Sequence, residues 1–228
     1  MSLVATGSQR PSIIRDSEPS SLAPSSDYME IRTFAETVLF SPDLADKLRR
    51  PDTLSDTRPG RPIPTVMQPA RVAEHQLRRV DSRHQSHFPS SGELRSEHGR
   101  LDAMHFFANH ELTALELMAM ALLKFTDAPT AWRRSVAVTM RDEQDHARLY
   151  LNQLRSRGRA FGELPINDHF WRIGVGMTSP QMYAAVVGMT LEQANLDFAD
   201  HYGRVFRALG DDDAADVLDR VLVDEIRH

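Results

Sequence analysis

From about residue 96 onward the chain repeats one pattern at an offset of 81 or 82 residues, and what repeats is a charged side chain set into an apolar helical stripe. Apolar residues spaced alternately three and four apart turn one face of an α-helix toward a core. Leu101, Met104, Ala108, Leu115, Met118 and Leu122 make such a face, and Glu111 stands inside it. Trp132, Val136, Thr139 and Tyr150 make a second, which carries Glu143 and His146 one turn apart. A third runs through Ala185, Met189, Leu196, Ala199 and Gly203 around Glu192, and a fourth through Ala214, Leu218 and Val221 to Glu225 and His228. Glu111 and Glu192 are 81 residues apart, while Glu143 and Glu225, and His146 and His228, are 82 apart. Glu111-Leu-Thr-Ala-Leu-Glu116 echoes Glu192-Gln-Ala-Asn-Leu-Asp197, and Asp142-Glu143 echoes Asp224-Glu225, so a pseudo-two-fold relates the two halves.

The segments are punctuated as four helices should be. Ser96 opens the first, which Asp127 and Pro129 stop after Phe125; Pro129 or Thr130 opens the second, which ends at Gly158. Ser179-Pro180 opens the third, closed by Gly210, and Asp211-Asp212-Asp213 opens the fourth with carboxylates at the positive end of the helix dipole. Only the second connection is long. An all-α fold follows: an antiparallel four-helix bundle over residues 96–228 with one long crossover.

Four inward carboxylates and two imidazoles in an apolar interior need compensating charge. A pair of metal ions supplies it, because one Glu from each of two helices and one Glu-x-x-His from each of the other two is a two-metal carboxylate set. A single Glu-x-x-His arises readily by chance, and only the six residues in register carry weight. Glu111, Glu143, His146, Glu192, Glu225 and His228 are the expected ligands, with Glu143 and Glu225 bridging. Asp142 and Asp224 are either solvated or hydrogen-bonded to a ligand imidazole, and Tyr150 stands one turn beyond His146 as a hydrogen-bonding or redox neighbour, or as core. Glu116 and Asp197 fall one step off their stripes and read as flanking residues or as partners of the ligands. His105, His110 and His201 read as packing or surface residues, and Met104, Met118, Met120 and Met189 as core filling.

The chain of 228 residues has no cysteine, which excludes disulfides, thiolate metal sites and thiol nucleophiles and leaves oxygen and nitrogen to hold any metal. Hard oxygen donors with two imidazoles suit iron, manganese or a mixed iron and manganese pair. A net charge of -5 gives no general polyanion-binding signature. Nucleic acid is therefore not the expected partner, although Arg134, Arg141, Arg148 and Arg155 form a stripe along the second helix. No apolar run is long enough for a membrane span or a signal peptide, so a cytoplasmic protein without membrane attachment is expected. Residues 1–27, rich in Ser and Pro, read as disordered. Residues 28–95 have too few apolar positions for a separate core and read as a wrap with short helices: Ile31, Phe34, Ala35, Val38 and Leu39 suggest the first, Ser41-Pro42 begins a second turn, and prolines from Pro59 to Pro69 enforce an extended path.

The runs His105-Phe-Phe-Ala-Asn-His-Glu-Leu, Asp142-Glu-Gln-Asp-His, Glu192-Gln-Ala-Asn-Leu-Asp-Phe and Asp224-Glu-Ile-Arg-His resemble the ferritin-like di-iron superfamily, and within it a bacterial branch known only as a domain of unknown function. The chain is similar to the tRNA hydroxylase branch as well, and Asp224 to His228 resembles the signature of bacterial multicomponent monooxygenases. The resemblance covers roughly the last 125 residues and, loosely, Phe34 to Leu48. It implies a ferritin-like fold and a di-iron centre but no substrate. It also implies a fourth helix that continues past His228, where this chain stops.

Three functions follow as expectations. The first is a non-haem di-iron oxidoreductase that activates dioxygen to hydroxylate or oxidise an unidentified organic substrate, with an unidentified electron donor. The second is a ferroxidase or iron-handling protein without organic substrate, and the third a metal-free interaction bundle. A homodimer is compatible with each.

Overall fold

The computed structural model describes residues 28–79 and 88–226, and the chain is mostly helical. The expected disordered segment 1–27 and the expected ligand His228 lie outside the described residues.

Four long helical stretches occupy the expected positions. Helix α1 (Ile31–Phe40) and the single turn α2 (Leu44–Lys47) precede α3 (Glu97–Lys124) and α4 (Thr130–Ser156). After the crossover come α5 (His169–Gly174), α6 (Pro180–Tyr183), a π-helical segment (Ala184–Leu191), α7 (Glu192–Ala208) and α8 (Asp212–Glu225). The caps act as the sequence suggests: Ser96 accepts from Gly99 N–H, Ser179 from Met182 N–H and Asp211 from Ala214 N–H. Gly158 and Gly210 adopt φ of 73° and 76°, the left-handed conformation that ends α4 and α7. The five-residue link between α3 and α4 is too short for anything but a reversal, so α4 returns along α3. Helices α7 and α8 pair the same way, and α4 also touches α8.

Two short parallel strand pairs went unseen in the sequence: β1 (Tyr28–Glu30) with β2 (Thr53–Ser55), and β3 (Leu77–Arg78) with β4 (Ile166–Asn167). The second pair ties the crossover to the N-terminal region. Helix α5 is likewise unannounced, and it buries Trp171, whose indole N–H donates to Met67 O at 2.7 Å.

Helix α1 buries the five residues its spacing marks, Ile31, Phe34, Ala35, Val38 and Leu39, against α3. Almost every residue of α3 from Ala103 to Leu123 is buried as a result, so this helix is a central rod with no solvent face to balance its core face. Its far side meets the N-terminal segment through ions. Glu116, expected to be a flanking residue, is fully buried and receives Lys47 Nζ at 2.9 Å and Arg71 Nη2 at 2.6 Å. Arg71 also donates to Asn109 Oδ1 and Thr113 Oγ1. Further along, buried Arg133 pairs with Asp56 at 3.0 Å and caps Leu122 O at the end of α3, while Gln144 donates to Lys47 O and Arg49 O. The echo between Glu116 and Asp197 is therefore not structural, because Asp197 is exposed.

The stripe of the third helix also needs correction. Ala185 and Met189 face outward, Met189 with 76 % of its surface exposed, while Tyr183 and Val187 take the buried positions. The π segment is the cause. Glu192 N–H reaches back five residues to Val187 O, so the face that carries Glu192 continues N-terminally through Val187 and not through Met189. From Glu192 onward α-helical spacing resumes, and Ala199 and Gly203 are buried as expected.

Candidate metal centre

Glu111 of α3, Glu143 and His146 of α4, and Glu225 of α8 each offer a ligand atom, and these atoms all lie within 4.8 Å of one another. All four residues are fully or almost fully buried. This buried cluster can hold a metal ion. His146 Nδ1 lies 3.2 Å from Glu225 Oε1 and 3.7 Å from Glu143 Oε2. Glu192, 6 % exposed at the start of α7, lies outside that tight group but interacts electrostatically with Glu225, Glu111 and Glu143. The structure thus gathers four of the six expected ligands in one tight group and sets Glu192 within electrostatic reach of it, while the sixth, His228, lies outside the described residues.

Asp224 Oδ2 approaches His146 Nε2 at 3.5 Å, the ring nitrogen opposite the cluster, so it acts on an imidazole from another helix. Arg220 holds that carboxylate at 2.6 Å. Asp142 lies 3.8 Å from Arg50, and the imidazole that the pseudo-two-fold would set against it, His228, lies outside the described residues. Tyr150 is fully buried, and its ionisation is opposed by burial and by the carboxylates of Glu111, Glu225 and Glu143, which puts it beside the cluster. His105 is a packing residue: its Nε2 accepts from Gly162 N–H at 2.9 Å and its ring lies against Phe161. His110 is buried edge-on to Phe170, and burial lowers its pKa to about 4. His201 is exposed. In the arginine stripe, Arg148 pairs with Asp145 and Arg155 bonds Asn152.

One residue escaped the sequence reading. Asn195, 1 % exposed on α7, donates its amide to Glu225 Oε1 at 2.8 Å and to Glu111 Oε1 at 3.3 Å, bridging carboxylates from α8 and α3. The signal was available: it stands three residues after Glu192 on the same helix face.

Burial and mutual repulsion dominate the electrostatics. Burial first, then the Glu143 carboxylate, pushes Glu111 well above the usual carboxylate range; burial, then Glu225 and Glu111, does the same to Glu192. Glu143 rises to about 7 through burial and the charges of Glu192 and Glu225. For His146 burial alone would lower the pKa, but the Glu143 and Glu225 carboxylates outweigh it and raise it to about 12. The metal-free cluster therefore holds protons at neutral pH that the unfolded chain releases.

The consequence for stability has a definite sign. A group whose folded pKa is raised loses its contribution as pH rises from the unfolded toward the folded value. Buried His105 and His110, lowered to about 4, oppose this only below about pH 6.5, and Glu30 and Asp211, held near about 2, act only below about pH 4.5. Between pH 7 and 8 the metal-free protein should thus lose stability by about 1.4 kcal/mol per pH unit for each retained proton. The Tm should fall by roughly 3–6 °C per pH unit for one such proton and by roughly 6–11 °C for two, and the metal-loaded protein should be nearly flat. Calorimetric melting at several pH values reads both slopes; an equally flat metal-free profile would mean that the packed carboxylates are already ionised.

Among the described residues, no helix is long and apolar enough to cross a membrane. A family model described as "Protein of unknown function (DUF455)" matches residues 35–228. Neither a curated protein nor a solved structure matches the chain.

Proposed function

The chain belongs to the DUF455 family, which assigns no chemistry, and from the residues of its buried cluster we propose a carboxylate-bridged di-iron oxidoreductase that activates dioxygen to hydroxylate or oxidise an organic substrate. In this reading α3, α4, α7 and α8 form a ferritin-like four-helix bundle over residues 96–228, wrapped by residues 28–95. Glu111, Glu143, His146, Glu192, Glu225 and His228 are the ligands, Asp224 fixes the tautomer of His146, and Asp142 stands in the equivalent relation to the second half.

The observation that carries the proposal is the crowding of Glu111, Glu143 and Glu225 around His146 in a buried interior. Such an arrangement is strongly unfavourable unless cations or protons neutralise it, and its hard oxygen donors suit iron or manganese better than copper or structural zinc. A bound iron pair would supply redox equivalents and open coordination positions. The chain's own residues do the rest: Asn195 fixes the facing oxygens of Glu111 and Glu225, Asp224 holds the far nitrogen of His146, and the surrounding apolar core excludes water.

Elemental analysis of protein purified without chelator tests the reading, with about two equivalents of metal per chain expected. Anaerobic iron(II) loading of the metal-free protein should release at least one proton per chain, since His146 must lose its proton to bind. Subsequent exposure to oxygen should consume it. A chain that takes up less than half an equivalent of iron or manganese and consumes no oxygen would overturn the proposal.

A further inference from the structure

A cavity of about 320 Å³ opens beside Glu192, walled by Met118 of α3, Trp132 and Val136 of α4, and Tyr183 and Gly188 across the π segment. Ser135, Thr139 and Tyr183 bring hydroxyl groups to its lining. Among the described residues, Glu192 is its only charged lining residue, and no Lys, Arg or His borders it. The wall is specifically built: Trp132 and Tyr183 meet edge to face with centroids 5.5 Å apart, and Tyr183 is buried beside the cluster, where the Glu192 and Glu143 carboxylates oppose its ionisation. The π segment creates the opening. Its wide turn sends Met189 outward and leaves Gly188 over the cavity, where an added Cβ would meet nothing within 4 Å.

We propose that this cavity is the substrate pocket and that it takes a small neutral apolar molecule, or the apolar end of a larger one, with Gly188 setting its size. The inference rests on the reading of the cluster as a metal centre, since Glu192 then joins pocket and metal. A cavity of about 150 Å³ accepts benzene in an engineered protein, so this one has room for a single ring with substituents. Anions are refused on two counts: Glu192 repels them, and no cation in the lining compensates their desolvation. A groove rich in arginine lies elsewhere. Arg49, Arg148, Arg155 and Arg159 border a separate cavity of about 960 Å³ that contains none of the cluster residues.

The test uses the metal-free chain of 228 residues carrying methyl-13C methionine, with toluene as probe and benzoate as its charged counterpart. Toluene should saturably shift the methyl resonances of Met118 and Met189, which flank the pocket, and leave Met104 unmoved; benzoate at the same concentration should shift none of them. Gly188→Leu should weaken toluene binding at least tenfold, and Val136→Phe, which fills the pocket from α4, should repeat the effect if the first variant disturbs the π segment. Absence of a saturable toluene shift, equal binding of benzoate, or toluene binding unaffected by both variants would overturn the inference. Because no metal is present, these results are independent of metal uptake: loss of toluene binding in a chain that still loads iron refutes the pocket alone, and toluene binding in a chain that loads none refutes the metal centre alone.

Discussion

Replacing Glu116 with Ala is expected to cost about 3–5 kcal/mol of folding stability, the scale for removing one partner from a buried ion pair, while the folded fraction keeps its full metal content. Lys47 and Arg71, each 1 % exposed at the side chain, would be left facing a void. The two cations differ in what they can do about it. Burial already lowers the pKa of Lys47, and the Glu116 charge holds it up, so without Glu116 the ammonium can shed its proton. Arg71 has no such escape, because a guanidinium stays charged. Glu116→Ala combined with Arg71→Met should therefore recover more stability than Glu116→Ala combined with Lys47→Met. Urea unfolding of the three variants, with metal analysis of each, measures this. A loss below about 1 kcal/mol for the single variant would mean that water reaches the ions.

Glu111→Gln should have the opposite profile. It keeps the shape of the side chain and the oxygen that accepts from Asn195, but it removes one of the crowded negative charges. Metal affinity should fall at least about 100-fold, since even an outer-shell partner of a metal ligand is worth about 10–100-fold. The metal-free variant should melt higher than the metal-free parent at pH 8, and its Tm should depend less steeply on pH, because Glu111 no longer competes for protons with Glu143. Titration calorimetry with manganese(II) and thermal melts at two pH values suffice. Unchanged affinity would remove Glu111 from the ligand set and with it the choice of inward stripe on α3.

These two residues, five positions apart on one helix, also mark how far the sequence could be read. Glu111, Glu143 and Glu225 were legible because each interrupts an apolar stripe at a fixed offset from a partner, and helix ends were legible because Ser96, Ser179 and Asp211 are caps whose chemistry is local. Glu116 was not, because its partners sit 45 and 69 residues upstream in a region without periodic pattern, and a carboxylate off the stripe of a helix ordinarily faces water. Periodicity assumes one solvent face per helix, and α3 has none. The π segment defeated the reading for a different reason. Nothing in Ala184-Ala-Val-Val-Gly-Met-Thr-Leu191 marks a five-residue turn, so an assumed α-helical register put Met189 inside and left Val187 out, whereas the reverse holds.

The ion pairs and polar caps that fasten the N-terminal segment also set the order in which the chain can fold. Glu116 lies 45 residues from Arg71, Arg133 lies 77 from Asp56, and Gln144 lies 97 from the carbonyl of Lys47 that it holds. Each contact closes a long loop. The closure itself grows only slowly with length, by about 0.6 kcal/mol for each doubling, but stripping water from Lys47 or Arg71 before Glu116 is fixed would cost several kcal/mol with nothing gained. The α3–α4 hairpin, joined by a short link, has no such delay and can form from local contacts. The segment synthesised before α3 is thus the one that must dock after it, and until it does the nascent rod α3 carries a naked apolar flank and an unneutralised Glu116. The exposed interval between synthesis and docking is where this protein is most open to aggregation or to a chaperone.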